Sequence, residues 1–472
     1  MLRKESPTQT LEPANAKEML MSLVRQAVRT ACMESSAFPQ GLRVEVPVAY
    51  TDALAWLRAQ AAGTRVYWAS REQPVRVAGL GAADEVCARD ANGNSEAIFS
   101  ALQGDMVSAH PNLRYYGGMA FDPCRTLSDE WAPFGDYRFT LPQFQLENYG
   151  THSYLVCNML LRGSEDFGRT ADALLEGLDA VVFPEDTSVE TVASPKNRLD
   201  MPDRQGWMER VGEVLKGIRR GDIEKVVLAR RSVFSFDETL DPLALLGRIV
   251  ARKAATYQFC FQPEAGTAFM GATPERLYSR HGHHVESEAL ASTRGRGATA
   301  AEDDALAREL LATDKDRREH RFVVRAIEEA LHGLCLSVYT NPEVSVLKLP
   351  RCQHLMCTIE GILKENITDA MVMTALHPSP AVGGVPPGKA LEYIREHEPF
   401  DRGWYAGPVG WIGPNSSEFA VAIRSGLVHD NTLSLYSGAG IVDGSTPEDE
   451  WNEIDTKLSS ALSALTGHNE RD

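Results

Sequence analysis

Apolar positions change their period several times along the chain. From Ala16 to Arg29 they recur at helical spacing (Met19, Leu20, Leu23, Val24, Ala27), which predicts a helix. From about 43 to 160 the period shortens. Residues 66–70, 114–121, 137–147 and 153–161 mix aromatic and β-branched side chains between turns and read as strands. The segment 183–205 is polar, carries three prolines and reads as a linker, with a boundary near 200. Beyond it, Trp207, Val211, Val214, Leu215 and Ile218 share one face of a helix opening at Asp203 or Arg204. Strands are expected at 225–236, 257–262, 267–272, 344–349 and 354–362, and helices at 241–252, 369–376 and 387–397, with two helical pieces across 301–333. The end reads as three strand-like runs (406–412, 418–428, 432–437), a Gly-rich turn at 438–440, and a last helix from Pro447 to about Leu465. Strands arriving both as neighbours and between helices predict an α+β fold with large, mostly antiparallel sheets.

The chain has 472 residues, 43% of them hydrophobic, enough for a substantial core. No apolar run approaches the ~18 residues of a membrane-spanning helix, and the N-terminus has neither a secretory apolar core nor the acid-poor composition of a transit peptide. A soluble cytoplasmic protein is expected. The net charge of −17 disfavours nonspecific binding to nucleic acid or to an anionic membrane. It also means that an anionic substrate needs a few placed cations or a metal. None of the eight cysteines forms a CxxC pair; Cys352 and Cys357 flank His354, but the spacing does not suit zinc, and buried reduced thiols are the expected state.

Several segments carry candidate chemistry, each with a plain alternative. In the last helix, Glu450, Glu453 and Lys457 share one face, beside the stripe Trp451, Ile454 and Leu458. Two carboxylates with a cation one turn on can hold a hard divalent ion and a carboxylate ligand; the alternative is a solvated face with ordinary ion pairs. Gly438, Ala439 and Gly440 could present backbone N–H groups to an anion, or form a simple tight turn. Glu319 and His320 lie on a helix without an HExxH pattern; Glu319 is either a metal ligand or part of an exposed helix start. Lys225 opens an apolar strand and points either to solvent or into a pocket, where burial disfavours the charged form and makes a usable base. Glu275, between two strands, is a general acid if its proton is held tightly, and otherwise a turn residue. The loops 377–387 and 400–411 concentrate Gly, Pro and aromatic residues and supply shape, structural or pocket-lining.

Taken together, KVVLAR (225–230), GATPE (271–275), EALASTRGRG (288–297), KDRREH (315–320), LHPSPAVGG (376–384), FDRGWYAGPVGW (400–411), EFAVAIRSG (418–426), YSGAGIV (436–442) and EDEWNEIDTK (448–457) resemble the chorismate-utilising enzymes, in the right order across residues ~203–465. The family includes synthases of isochorismate, anthranilate, aminodeoxychorismate and salicylate. The likeness is greatest to the water-adding isochorismate synthases: the ammonia users usually carry PIKGT or PLAGT where this chain has EALASTRGRG, and Lys225 suits activation of water. Ser292 stands where the family has the Gly of AGT, and Ser417 where it has a Gly before Glu418.

Residues 1–14 read as a disordered N-terminus. The resemblance implies an N-terminal half (15–200) that completes the fold and a chorismate-binding catalytic region (201–466). It implies Lys225 as general base and Glu275 as general acid. Glu319 and Glu450 would bind Mg²⁺, with Glu453 nearby through water. Arg424, Lys457 and the backbone of Gly438, Ala439 and Gly440 would hold substrate carboxylates; Ala381 would line the ring pocket, and Thr293 and His320 fall on the substrate side. Chorismate is the implied substrate, with no nucleic-acid or membrane partner and a monomeric state. Salicylate formation, ammonia use and a non-catalytic binding role remain as alternatives.

Overall fold

The computed structural model describes residues 10–34, 39–88, 99, 102, 109–163, 167–184, 194–252, 255–349 and 352–466. Two antiparallel sheets dominate. The larger runs in spatial order β1 (Gln40–Val48), β8 (His152–Leu161), β7 (Phe144–Tyr149), β3 (Val75–Leu80), β2 (Arg65–Ala69), β11 (Tyr257–Glu264), β12 (Thr267–Thr273), β21 (Ser425–His429), β22 (Thr432–Val442), β10 (Lys225–Ser235) and β18 (Gly384–Val385), with β9 (Asn197–Met201) also on β10. The smaller runs β15 (Cys335–Thr340), β17 (Cys352–Leu363), β14 (His284–Gly295), β13 (Arg276–His281), β20 (Ser416–Val421), β19 (Pro408–Ile412), β5 (Tyr115–Met119), β6 (Tyr137–Leu141) and β4 (Asp84–Ala88), with β16 (Ser345–Lys348) also on β17. Strands from both halves of the chain enter each sheet, joined at β2–β11 in one and β5–β19 in the other. The expected α+β class with large antiparallel sheets is what the chain forms.

The described helices are α1 (Pro13–Glu34), α2 (Ala53–Ala59), α3 (Phe167–Ala180), α4 (Arg204–Arg220), α5 (Pro242–Val250), α6 (Ala300–Ala312), α7 (Asp314–Leu334), α8 (Asp369–Leu376), α9 (Pro387–His397) and α10 (Pro447–Thr466). None is long and apolar enough to cross a membrane. Helix α4 shows how local sequence sets the ends. Asp203 accepts a hydrogen bond from the Gly206 N–H, Gly221 closes the helix at φ 79°, and the stripe Trp207, Val211, Val214 and Leu215 is buried. Helix α10 buries Ile454 and Leu458 as its spacing requires, and Trp451 packs edge-on against Trp207 and under the Arg230 guanidinium, 3.8 Å from the ring centre. Between the sheets lies an aromatic core. Trp404 meets Phe134 at 5.3 Å and Phe261 at 6.0 Å, and its ring fills the space over Gly118 of β5.

Five expectations change. The run 418–428 is two strands in different sheets, and 137–147 is divided in the same way between β6 and β7. Residues 438–440 are not a turn; they continue β22, paired with β10 as far as Val442. The expected linker contains β9, which pairs with β10 over Asn197–Met201, while 185–193 lies outside the described residues. Of the N-terminal stretch expected to be disordered, 1–9 lies outside the described residues, whereas Leu11 bridges to Val48 and α1 starts at Pro13.

Candidate active site

The site forms where the chain passes from one sheet to the other. Between β12 and β13 it crosses at Pro274 and Glu275; between β20 and β21 it crosses at Ala422 to Arg424. The crossings are laced together. The Val421 N–H donates to the Glu275 carbonyl at 3.0 Å, the Ala272 N–H to the Arg424 carbonyl at 3.2 Å, and the Thr273 hydroxyl to the Val421 carbonyl at 2.6 Å. Glu275 and Arg424 are thereby fixed on neighbouring corners by backbone bonds, more rigidly than loop side chains would be.

Glu275 is buried, and burial pushes its carboxyl up to about 8. Lys225 pulls against that shift, while Glu288 adds to it. The acid is thus protonated at neutral pH and lies within electrostatic reach of the lysine. Glu288 is itself buried between two cations: its Oε2 accepts from Arg71 Nη1 at 2.8 Å and its Oε1 from Arg276 Nη1 at 3.0 Å. Arg71 Nη1 also donates to the Pro274 carbonyl at 2.6 Å, next to the acid. The sequence reading missed Arg71, because nothing along the chain connects it with a residue some two hundred positions away.

Lys225 opens β10 and is buried. Its neighbour across the ladder is Val442, and its side chain runs over Gly440, where a Cβ would sit 3.0 Å from Lys225 Cε. On the other edge, Gly384 of β18 lies so close that a Cβ there would overlap the Lys225 carbonyl. Gly440 leaves room for the lysine side chain, and Gly384 lets β18 approach the β10 backbone. Its Nζ ends 3.6 Å from Glu319 Oε1. Glu319 projects from α7, about one-third exposed, and its Oε2 lies 3.2 Å from the Ser292 hydroxyl.

The glycines of β22 act as strand residues. The Val227 and Ala229 N–H groups point away from β22, to Gly383 and Glu398. By the alternation of an antiparallel ladder, Ala439, opposite Leu228, turns its N–H and carbonyl into the β10 pairing, whereas Gly438 and Gly440 turn theirs to the other side. The Gly438 carbonyl accepts from Lys457 Nζ at 3.1 Å on that side. The expectation of three neighbouring donors is therefore corrected: two N–H groups face outward and that of Ala439 does not.

The cations gather nearby. Arg424, exposed and at φ 52°, directs Nη2 to Cys352 Sγ (2.8 Å) and to His354 Nε2 (3.3 Å). Thr293 Oγ1 is 3.1 Å from His354 Nδ1. Burial, with Arg424 and Lys457 adding to it, pushes the His354 imidazole down to about 4, so it is neutral and both its nitrogens are engaged. Lys457 pairs with Glu453 at 2.7 Å. Ala381 is half-buried in the loop before β18; Arg402 braces that loop by donating to the carbonyls of Val382 (3.0 Å) and Val227 (2.7 Å). His320 is not brought to the open cleft. It is buried, with Nε2 3.1 Å from the Ala289 carbonyl, and ties α7 to β14. Ser417 is also remote, donating from β20 to Asp369 at the start of α8 at 2.5 Å.

The carboxylates present suit a hard divalent cation. Glu319 borders Lys225, and Glu450 Oε1 accepts from the Ser445 hydroxyl, which in turn accepts from the N–H of Val442, the ladder partner of Lys225. Both carboxylates thus belong to the corner where β10 begins and β22 ends, and oxygen donors of this kind suit Mg²⁺ over soft metals. Among the described residues no three His, Cys, Asp or Glu side chains gather into a metal-holding group. Any cation would complete its shell with substrate oxygens and water. Glu453 is engaged by Lys457.

A buried acid, a buried lysine and a cationic margin at the paired sheet crossings make up the chemistry suited to acid–base work on a small anion. The family model described as chorismate binding enzyme matches residues 26–466, and the chain belongs to that family. Among its relatives, isochorismate synthase 2, chloroplastic, of Arabidopsis thaliana is 37% identical over 407 residues, covering 84% of this chain and 71% of the relative. Isochorismate synthase MenF of Bacillus subtilis is 34% identical, covering 86% and 88%. The solved structure of MenF, the menaquinone-specific isochorismate synthase of Escherichia coli, superposes with a TM-score of 0.82 at 29% identity, covering 95% of this chain and 99% of that one. Anthranilate synthase component I of Streptococcus pneumoniae shares the fold at 20% identity (TM-score 0.63).

Proposed function

We propose that the protein is an isochorismate synthase: it adds water to ring carbon 2 of chorismate as the 4-hydroxyl leaves. The observation that carries this reading is Glu275, held protonated by burial, within electrostatic reach of the buried Lys225. Hydroxide is a poor leaving group and needs a proton; water is a poor nucleophile and must lose one. Lys225, in its amine form, takes a proton from the incoming water. The ring double bonds shift, and Glu275 gives its proton to the departing 4-hydroxyl, which leaves as water. Substrate and product are then isomers, and later exchange with solvent returns both groups to their starting states.

Chorismate is a dianion in a protein of net charge −17. Arg424 and Lys457, with the outward N–H groups of Gly438 and Gly440, would hold its carboxylates. Mg²⁺ held by Glu319 and Glu450 would neutralise and orient the ring carboxylate. We take the enzyme to be a cytoplasmic monomer, which gel filtration and cell fractionation check. The relatives bear names tied to menaquinone and to salicylate biosynthesis, and either use begins from the same product.

The test is product analysis. Purified protein with chorismate and Mg²⁺ is expected to yield isochorismate with no ammonia, glutamine or partner subunit added, to release almost no pyruvate, and to stop when EDTA is added and resume when Mg²⁺ is restored. Stoichiometric pyruvate would indicate a salicylate synthase. Anthranilate formed only with an ammonia source would overturn the proposal.

A further inference from the structure

Ser292 lies in β14 at φ 59°, where the β14–β17 register slips between Ala291 and Thr293. A left-handed backbone costs a serine roughly 1 kcal/mol or more relative to glycine, so something must depend on the side chain. The hydroxyl is buried and faces α7. Its oxygen is 2.9 Å from the Asp316 carbonyl and 3.2 Å from Glu319 Oε2. A hydroxyl has one proton and serves one acceptor at a time. The Asp316 carbonyl lies inside α7 and has the His320 N–H, four residues on, as its helical partner. The carboxylate oxygen, which has no helical partner of its own and sits on a side chain about one-third exposed, is the acceptor with more to gain. Glu319 is then flanked on two sides, Oε1 by Lys225 Nζ and Oε2 by the Ser292 hydroxyl.

We propose that Ser292 is a positioning residue: its hydroxyl fixes the rotamer of the Glu319 carboxylate and so presets one ligand for the divalent cation. The inference rests on the reading above that Glu319 holds Mg²⁺. Outer partners of a metal ligand typically govern affinity by 10- to 100-fold, and this bond, at 3.2 Å and shared with a second acceptor, belongs at the lower end.

Two variants separate positioning from simple support of the fold. Ser292→Gly removes the hydroxyl and relaxes the backbone; Ser292→Ala removes it and keeps the strain. Mg²⁺ is titrated into the full-length chain in chorismate equilibrated with its product, and the binding midpoint is read from the rise in melting temperature. Both variants are expected to shift that midpoint about 10-fold upward, while without Mg²⁺ the glycine variant melts no lower than wild type. Midpoints that coincide with wild type in both variants, while wild type and Glu319→Gln differ, would overturn the role of Ser292 alone. A wild-type protein that shows no response to Mg²⁺ would overturn the reading of Glu319 as a ligand, and the inference with it.

Discussion

Lys225 Nζ stands 3.6 Å from Glu319 Oε1, where β10 begins and one carboxylate of α7 reaches it. The proposed base and a proposed metal ligand are therefore direct neighbours, and each electrostatically conditions the other. Removing the lysine should abolish water activation; its side chain runs over Gly440, which itself carries no side chain to lose a contact. Lys225→Ala is expected to lower kcat by roughly 10²- to 10⁴-fold, the range of one proton-transfer group, with chorismate KM little changed. Chromatographic assay of isochorismate checks it; a variant within tenfold of wild type would remove Lys225 from the reaction.

The raised position of Glu275 gives a pH dependence with a definite sign. The acid must be protonated to work, so kcat should fall as pH rises through about 8. Stability follows the same group. The folded state holds this proton up to about 8, whereas the unfolded chain releases it near 4.5. The contribution is complete below about 4.5 and lost as pH rises through about 8. Glu275→Gln, which stays neutral, is expected to lose roughly 10²- to 10⁴-fold in kcat and to melt higher than wild type at pH 9. Melting curves and rates at pH 6, 7.5 and 9 decide it: an alkaline limb unchanged by pH up to 9 would be incompatible with this acid.

Much of this arrangement could be read along the chain, and the misses have physical causes. The capping Asp203, the stripe of α4 and the Ile454–Leu458 face of α10 are local signals, and local signals survive folding. Gly438 and Gly440 were read as turn-formers because glycine favours turns. In the fold they are strand residues made small so that Lys225 and the Tyr405 hydroxyl can approach. The break at Arg424 is hard to read because buried, strand-forming residues run on both sides of it, one set in each sheet. His320 sits beside Glu319 in sequence, yet successive helical residues point about 100° apart, so one reaches the cleft and the other the underside of β14. Arg71, just past β2, and Glu288, in β14 of the other sheet, meet only in the folded chain.

Arg424 and Lys457 offer a test of substrate recognition. Arg424 is held by Cys352 and by the neutral His354, so its guanidinium is preset. Arg424→Ala removes a charged hydrogen-bonding partner worth ~1.5–3 kcal/mol; chorismate KM is expected to rise roughly 10- to 100-fold, with kcat falling less. Lys457→Ala should act in the same direction and more weakly, since that lysine is already shared with Glu453. Steady-state kinetics at two salt concentrations check both. Unchanged KM in both variants would place the carboxylate-binding groups elsewhere.

Arg402 should act on stability first. It is buried, bonded to Glu398 through Nε at 2.8 Å, and donates to the carbonyls of Val227 and Val382. Glu398 in turn accepts from the Ala229 N–H at 2.7 Å. One ion pair thus clamps β10, just past the base, to the loop that carries Ala381. Arg402→Met leaves the Glu398 charge buried without its cation, which costs about 3–5 kcal/mol. The double variant Arg402→Met with Glu398→Gln removes both charges and is expected to recover a substantial part of that loss, because the unpaired charge is the larger penalty. Denaturant unfolding of wild type, both single variants and the double variant measures the coupling. Additive losses in the cycle would mean that the two residues support β10 independently, and the loop would then need another tether.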